Sequence, residues 1–120
     1  MKTILLADDE ENLRLLLRTT LEEPDYIILE ASDGNLAYEM AQKHHPDLIV
    51  LDWMMPGMSG IDLVRRLRAE PTTQGTPIIL LTARGRTRDR EQGLAAGVNA
   101  YVVKPFSPLE FLETVEAILG

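Results

Sequence analysis

Polar side chains that could handle a phosphoryl group follow several short apolar runs in the sequence. They are Asp8, Asp9, Asp52, Thr82 and Lys104. Carboxylates that lie close together repel one another, and a bound cation relieves that repulsion. Ligation by oxygen alone favours a hard cation such as Mg²⁺, or Mn²⁺. A lysine and a threonine hydroxyl suit phosphate oxygens, and a carboxylate is able to attack phosphorus.

Each of these residues, taken alone, has an ordinary structural explanation. An aspartate at a strand end usually caps a helix or forms a turn. A threonine inside a strand is common because of its β propensity, and a lone lysine is usually a solvated surface residue. The joint arrangement, at the ends of four separate apolar runs, favours one shared site over coincidence.

The apolar runs alternate with segments that have helical periodicity. We predict strands over 3–7, 26–31, 48–52, 78–82 and 100–103. We predict helices over 12–22, 33–43, 61–70 and 84–97, and a last helix that Ser107 caps, with Pro108 at its first position. The segment 84–97 is polar and rich in arginine, so its helical periodicity is the weakest.

Helix ends and faces follow from the same pattern. Pro24 should stop the first helix, Asp33 should cap the second, and Pro46 should end it. The predicted inward face of the first helix is Leu13, Leu16, Leu17, Thr20 and Leu21, with Leu15 opposite. The predicted inward face of the second helix is Leu36, Ala37, Met40 and Ala41.

Five β-α units in alternation predict an α/β fold with a doubly wound, five-stranded parallel sheet. The strands lack polar alternation, as expected when helices cover both faces of the sheet. In such sheets, ligands bind at the carboxyl ends of the strands. The five polar residues therefore belong to one edge of the sheet.

Composition limits the class of protein. The 120 residues suit a single domain over 1–120, and the chain contains no cysteine. No run approaches the ~18 apolar residues that a membrane span requires. The net charge of −7 argues against direct nucleic-acid binding by this segment. We therefore expect a cytoplasmic protein without membrane contact, which holds a cation or meets a protein partner.

Four segments together resemble the receiver domain of two-component response regulators, over essentially the whole chain. They are residues 4–10, 46–60, 77–83 and 97–106. Each segment is moderately specific, and all four in order at these spacings are strongly specific. The resemblance, which extends to the chemotaxis response regulator, implies a flavodoxin-like fold with strand order 2-1-3-4-5.

The resemblance implies a signalling switch that phosphorylation activates, rather than an enzyme beyond Mg²⁺-dependent self-phosphorylation and self-dephosphorylation. Asp52 would accept a phosphoryl group from a phosphohistidine of a sensor histidine kinase or a phosphotransfer protein. Asp9 and Asp52, with the backbone carbonyl of Met54, would hold Mg²⁺. Asp8 would act mainly through a bound water.

The resemblance also assigns the phosphoryl-binding groups and the switch. Thr82 and the backbone N–H of Ala83 would bind phosphoryl oxygens, and Lys104 would pair with one of them, next to a cis bond to Pro105. Tyr101 would turn inward when Thr82 moves toward the phosphoryl group. The fourth helix, fifth strand and fifth helix would then report the change to an output partner or effector domain that the sequence does not identify.

Several positions depart from the pattern of the family. Ser59 stands where an aspartate is common, and either residue caps the next helix. Met54 and Arg84 would border the phosphoryl group and tune its lifetime, in a direction that the sequence does not give. Asn99 and Ala100 replace the acidic pair of the transcription-factor subfamily, which weakens the case for its dimer face.

Three alternative functions are weighed against this one. A phosphatase of the haloacid-dehalogenase kind needs an acidic residue where Met54 stands, and it needs a cap domain. A degenerate receiver, acting only as a protein-binding module, would not keep all the site positions filled. A flavin-binding module would place phosphate beside Asp8 and Asp9, which repel it.

Other features have open interpretations. The basic cluster is Arg84, Arg86, Arg88 and Arg90. It is either a solvated helix start or a contact for an acidic partner. Leu15 is either a solitary exposed leucine or, together with Leu13, helps to dock the phosphodonor. Trp53 should report events at the site by fluorescence, and His44 and His45 read as helix-end residues.

Overall fold

The computed structural model describes residues 1–22 and 26–120, which form five strands and five helices in alternation. The strands are β1 (Lys2–Ala7), β2 (Tyr26–Ala31), β3 (Leu48–Leu51), β4 (Ile78–Thr82) and β5 (Ala100–Val103). The helices are α1 (Glu11–Thr20), α2 (Gly34–His44), α3 (Gly60–Ala69), α4 (Thr87–Ala96) and α5 (Pro108–Leu119). Within these described residues, no helix has the length and apolar character to cross a membrane.

The strands form one parallel sheet in the order β2-β1-β3-β4-β5, which confirms the predicted architecture. The central strands β3 and β4 are buried along their whole length, because helices cover both faces. The strand order switches between β1 and β3, because β2 is added on one side of β1 and β3 on the other. The carboxyl ends of these two strands therefore flank the crevice in which such sheets bind ligands.

Helices cover the two faces of the sheet in groups. On one face, Leu17 of α1 packs with Phe111 and Val115 of α5. On the other face, Ala41 of α2 and Leu67 of α3 belong to a second apolar cluster that extends to helix α4. Burial of these side chains supplies the main driving force for the fold, at about 25 cal/mol per Å² of apolar surface. The carboxyl edge between the two layers is left for polar residues.

The predicted helix caps are confirmed at two helices. The carboxylate of Asp33 accepts a hydrogen bond from the N–H of Leu36 at 2.8 Å, at the start of α2. The hydroxyl of Ser107 accepts one from the N–H of Glu110 at 3.3 Å, and α5 begins at Pro108. The expected stop at Pro24 lies outside the described residues.

The predictions of boundaries and faces were wrong in places. Helix α4 begins at Thr87, three residues later than predicted, because the segment before it forms the loop that leaves β4. Leu16 and Leu36 are 44 % and 38 % exposed, although both were assigned to inward faces. Each helix buries a stripe narrower than its apolar face, and these two leucines lie beside that stripe. Leu15 is 59 % exposed, as predicted.

Candidate functional site

Two carboxylates meet at the carboxyl edge of the sheet. Asp8 follows β1 and Asp52 follows β3, and both residues are buried. Main-chain hydrogen bonds hold them in place: the N–H of Asp52 donates to the carbonyl of Ala7 at 3.1 Å, and the N–H of Asp8 donates to the carbonyl of Ala31 at 3.1 Å. The parallel pairing of the strands thus brings together two like charges that are 44 positions apart in the chain.

Lys104 bridges this pair. Its Nζ donates to Oδ2 of Asp52 at 2.8 Å and lies 3.3 Å from Oδ2 of Asp8. The N–H of Lys104 donates to the carbonyl of Thr82 at 2.8 Å, so the end of β5 is tied to the end of β4. The bond between Lys104 and Pro105 is cis, as expected. The main-chain hydrogen bond therefore fixes the backbone of Lys104, and the two carboxylates fix its ammonium group.

The environment shifts the pKa of these groups in definite directions. Burial raises the pKa of Asp8 above its usual range, and the neighbouring charge of Asp52 adds to the rise. The hydrogen bond from Glu10 and the charge of Lys104 oppose this rise without cancelling it. Burial lowers the pKa of Lys104, but the hydrogen bond and charge of Asp52 outweigh it, so the net pKa of Lys104 is raised. The raised pKa keeps Lys104 protonated, and burial makes the negative charge of Asp8 unfavourable.

The other predicted site residues surround this pair. Thr82 is fully buried at the end of β4, and its Oγ1 accepts a hydrogen bond from the N–H of Arg84 at 3.3 Å. The N–H of Met54 lies 3.4 Å from Oδ1 of Asp52, while its side chain is exposed. Asp9 and Ala83 are exposed; Ala83 directly follows β4, and Asp9 is the second residue after β1.

The loop after Asp52 is closed by glycines. The N–H of Gly60 donates to the carbonyl of Trp53 at 2.8 Å, which turns the chain back on itself before α3. A Cβ atom on Gly60 would lie 2.0 Å from the carbonyl oxygen of Asp52, and one on Gly34 would lie 1.9 Å from that of Met58. No side chain fits at either position, so the loop packs directly on the acidic residue that it follows.

The donor set fits a hard cation. Asp8 and Asp52 offer buried carboxylate oxygens, and the rise in the pKa of Asp8 shows that the pocket disfavours its present negative charge. In the described ranges 1–22 and 26–120, no group of three or more acidic, histidine or cysteine side chains forms a ready-made metal cage. Mg²⁺ does not need such a cage, because it keeps several waters and takes only one or two carboxylates together with phosphate oxygens.

Sequence analysis missed Arg14 and Glu30, which support the acidic residues from behind. Arg14 on α1 donates from Nη1 to the carbonyl oxygen of Asp8, and its Nε is 3.1 Å from Oε1 of Glu30 on β2. Arg18 contacts the other oxygen of Glu30 at 3.0 Å. A glutamate within the otherwise apolar strand β2 was the available signal, because a half-buried carboxylate in a strand requires a cation nearby.

Tyr101, the predicted switch residue, is buried on β5. Its hydroxyl donates to the backbone carbonyl of Arg84, and burial raises its pKa. The guanidinium carbon of Arg90 lies 5.2 Å from the centre of the Tyr101 ring. A Cβ atom on Gly93 would lie 2.8 Å from that ring, so helix α4 packs directly against it. In this structure the tyrosine therefore occupies an inward position.

The arginine cluster divides into two pairs. Arg84 and Arg90 contact Asp89 and Tyr101 of their own chain. Arg86 and Arg88 are exposed, which agrees with a solvated helix start and does not test the alternative of a partner contact. The assignment of two histidines as helix-end residues is confirmed at α2. His44 ends α2, and His45, with a φ of 48°, is its C-terminal cap.

Known proteins are similar to this chain in sequence and in fold. A model of the response regulator receiver domain matches residues 4–116. The chain is 45 % identical over 118 residues to the phosphate regulon transcriptional regulatory protein PhoB of Pseudomonas aeruginosa, covering 98 % of this chain and 52 % of that protein. It is 47 % identical over 116 residues to the transcriptional regulatory protein ResD of Bacillus subtilis, covering 97 % and 47 %. The chain thus spans about half the length of these curated relatives.

Solved structures agree with these matches. The chemotaxis response regulator CheY4 of Vibrio cholerae superposes with a TM-score of 0.92 at 34 % identity, over 99 % of each chain. A response regulator from Chloroflexus aurantiacus gives a TM-score of 0.92 at 35 % identity, over 98 % of this chain and 97 % of that one. The chain therefore belongs to the receiver domain family of two-component response regulators, which are switches controlled by phosphorylation.

Proposed function

We propose that Asp52 accepts a phosphoryl group from a phosphohistidine on a sensor histidine kinase or a phosphotransfer protein. The observation that carries this proposal is the placement of Lys104, whose Nζ lies 2.8 Å from Asp52 and 3.3 Å from Asp8. A buried carboxylate with a fixed cation beside it is ready for a reaction in which negative charge accumulates. Residues 1–120 would act as one receiver domain, in the cytoplasm, where two-component kinases present their phosphohistidines.

The transfer moves one phosphoryl group between two nucleophiles. A carboxylate oxygen of Asp52 forms a bond to phosphorus while the bond from phosphorus to the histidine nitrogen breaks. The phosphohistidine ring carries a proton on its other nitrogen, so it leaves as neutral imidazole and an acyl phosphate remains on Asp52. Lys104 pairs with a phosphoryl oxygen, and the Thr82 hydroxyl and the N–H of Ala83 donate to the others. Small phosphodonors would react in the same way, and attack by water would restore the carboxylate and release phosphate.

A divalent cation completes the site in this proposal. Asp9, Asp52 and the backbone carbonyl of Met54 would hold Mg²⁺ or Mn²⁺, with Asp8 acting through a bound water. When bound, the metal supplies charge neutralisation for the phosphoryl oxygens. Support comes from the all-oxygen donor set, in which the buried carboxylates of Asp8 and Asp52 share the ammonium of Lys104.

Phosphorylation would then change the structure at the carboxyl end of β4 and in β5. The phosphoryl group adds about −1.5 to −2 charge and new acceptor oxygens. Thr82 is buried, and its hydroxyl accepts a hydrogen bond from the main-chain N–H of Arg84 at 3.3 Å. We expect it to move when it donates to a phosphoryl oxygen. Tyr101 is already inward, with its hydroxyl donating to the carbonyl of Arg84, so movement of that loop would shift an inward ring rather than turn it in. The surface of α4, β5 and α5 would report the change to an output partner or an attached effector domain.

The proposal is tested by incubation of the chain with acetyl phosphate and Mg²⁺, followed by a phosphate-affinity gel. The wild type should shift and Asp52→Ala should not. Asp62→Ala removes an exposed aspartate at the start of α3 and should shift like the wild type. No shift of the wild type would overturn the proposed function, and an equal shift of Asp52→Ala would overturn the assignment of the acceptor.

A further inference from the structure

Arg84 lies between the proposed acceptor site and helix α4. Its Nη2 is 3.0 Å from Oδ1 of Asp89, and its guanidinium carbon is 4.2 Å from the centre of the Trp53 ring. Its Nη1 is 4.0 Å from Sδ of Met54. Because Trp53 and Met54 directly follow Asp52 in the chain, the guanidinium rests against the loop that leaves the acceptor.

The partner of this guanidinium is a buried carboxylate. Asp89 lies in the first turn of α4 and is 5 % exposed, whereas the Arg84 side chain is 42 % exposed. A carboxylate buried in this way is costly once its counter-ion leaves, and the positive end of the helix dipole compensates only in part. Helix α4 also starts without a side-chain cap, since Arg86 at its N-cap makes no such bond. The position of the first turn therefore depends on Arg84.

The main chain of Arg84 makes a second connection. Its carbonyl oxygen accepts the hydrogen bond from the buried hydroxyl of Tyr101. Its N–H donates to the hydroxyl of Thr82 at 3.3 Å. One residue thus contacts the acceptor loop, the first turn of α4, and both residues of the proposed switch.

We propose that Arg84 is a positioning residue with two alternative anionic partners: Asp89 in the unphosphorylated chain, and the phosphoryl group on Asp52 in the phosphorylated chain. This role rests on the proposed function. A phosphoryl group carries about −1.5 to −2 charge against −1 for a carboxylate, and a guanidinium forms paired hydrogen bonds with its oxygens. The Trp53 ring supports the guanidinium between the two positions. When Arg84 leaves, Asp89 loses its counter-ion and the first turn of α4 is released.

The exchange makes the two partners competitors, which a titration can detect. Beryllium fluoride with Mg²⁺ serves as the phosphoryl mimic, and the fluorescence of Trp53, the only tryptophan of the chain, follows its binding. Asp89→Asn keeps the shape of the side chain but removes its charge, so it should tighten binding of the mimic by about five-fold. Arg84→Gln should weaken binding by about ten-fold.

The double variant separates exchange from a merely structural role. In the Arg84→Gln background, Asp89→Asn should leave the affinity for the mimic unchanged, because nothing remains to be released. Arg88→Gln is the matched control: it removes an exposed arginine from the same turn and should bind like the wild type. Thermal melting of each variant checks that it is folded under the conditions of the titration.

The outcomes are distinct. The exchange is wrong if Asp89→Asn binds the mimic no more tightly than the wild type does. It is also wrong if Asp89→Asn raises the affinity for the mimic by the same factor in the Arg84→Gln background. A second readout is amide hydrogen exchange over 90–93, whose N–H groups lie one turn into α4 and bond back to its first turn. Asp89→Asn should accelerate this exchange in the absence of the mimic, and Arg88→Gln should not. If the wild type binds no mimic at all, the proposed function fails as well, whereas a wild type that binds through Asp52 with unaltered variants overturns the Arg84 role alone.

Discussion

A basic side chain lies at the carboxyl edge of the sheet and another at the opposite edge, and the partners of these two side chains differ. At the carboxyl edge, Lys104 lies between the carboxylates of Asp52 and Asp8. At the opposite edge, where β4 and β5 begin, Arg68 of α3 donates from Nε to the carbonyl of Gly97 at 3.0 Å and from Nη2 to Oδ1 of Asn99 at 3.0 Å. Lys104 thus has charged partners, and Arg68 has neutral ones.

The partners of Arg68 fix the loop before β4. Its Nη1 donates to the carbonyls of Thr73, Gln74 and Thr76 at 3.2, 3.1 and 2.6 Å. Burial lowers the pKa of Arg68, while the carboxylates raise that of Lys104. Main-chain carbonyls cannot change their charge or leave, so the Arg68 edge has one arrangement. Carboxylates can take a metal or a phosphoryl group, so the Lys104 edge can exchange partners. The same type of interaction gives stability at one edge and responsiveness at the other.

The largest expected effect is on stability, at the Arg68 edge. Arg68→Ala removes five hydrogen bonds from one guanidinium and should lower the free energy of unfolding by about 3 kcal/mol. Phosphorylation of the folded fraction by acetyl phosphate should be unchanged. Urea unfolding measures the first quantity and a phosphate-affinity gel the second. Arg65→Ala, on an exposed arginine of the same helix, is the control, with an expected loss below about 0.5 kcal/mol. A similar loss in both variants would contradict the fixed role of Arg68.

A moderate effect, which the solution conditions can change, is expected at the Lys104 edge. Lys104→Met leaves two buried carboxylates without their cation and should destabilise the chain by about 2 kcal/mol at pH 7. Millimolar Mg²⁺ should recover much of this loss, since the metal replaces the missing charge. Thermal melting with Mg²⁺ and with chelator measures both. If Mg²⁺ stabilises the variant no more than it stabilises Arg65→Ala, the carboxylates do not share a cation site.

A smaller effect, of opposite sign, should follow removal of one carboxylate. The pKa of Asp8 is raised in the folded chain from 3.8, mainly by burial. A carboxyl group with a raised pKa favours folding only while it is protonated, and that contribution is lost as the pH rises through its folded-state pKa. Asp8→Asn should therefore be more stable than the wild type at pH 7 without metal. The difference should shrink as the pH falls and vanish below about 3.8. A difference independent of pH would rule out this cause.

The smallest effect is expected away from both edges, at Leu15 on α1. This residue is 59 % exposed and lines an open groove of about 510 Å³ beside Arg18 and Tyr26. If the groove docks the phosphodonor protein, Leu15→Asp should slow phosphotransfer from a histidine kinase by about five-fold, because one apolar contact is lost. Phosphorylation by acetyl phosphate, which needs no docking, should keep its rate. Equal rates with the kinase would remove Leu15 from the docking surface.

The sequence predicted what depends on local order along the chain. The five strands agree with the structure to within one residue at each end, because buried parallel strands are short apolar runs between turns. Helix α4 was placed least well, since its residues are polar and it is held by Arg84 and Tyr101 rather than by an apolar stripe. The strand order came from the family resemblance and not from periodicity.

Contacts between distant residues could not be predicted in the same way. The sequence placed Lys104 and the acidic residues at one edge, because strand direction alone decides that. It did not pair Arg14 with Glu30 or Arg68 with Asn99, since these contacts depend on which helix crosses which strand and at what angle. Asn99 was noted only as a departure from a subfamily pattern. In the structure its Oδ1 also accepts the N–H of Ile78 at 2.8 Å, where β4 begins.

The loop after Asp52 contains two opposite kinds of position within a few residues. Gly60 has no room for a side chain, because a Cβ there would lie 2.0 Å from the carbonyl of Asp52. Met54 is 61 % exposed and borders the acceptor without supporting the fold. A mutagenesis library over this loop should therefore yield folded variants with almost any residue at position 54, but with almost no residue other than glycine at position 60. Position 54 is therefore free to vary without loss of the fold, whereas Gly60 keeps the loop in place.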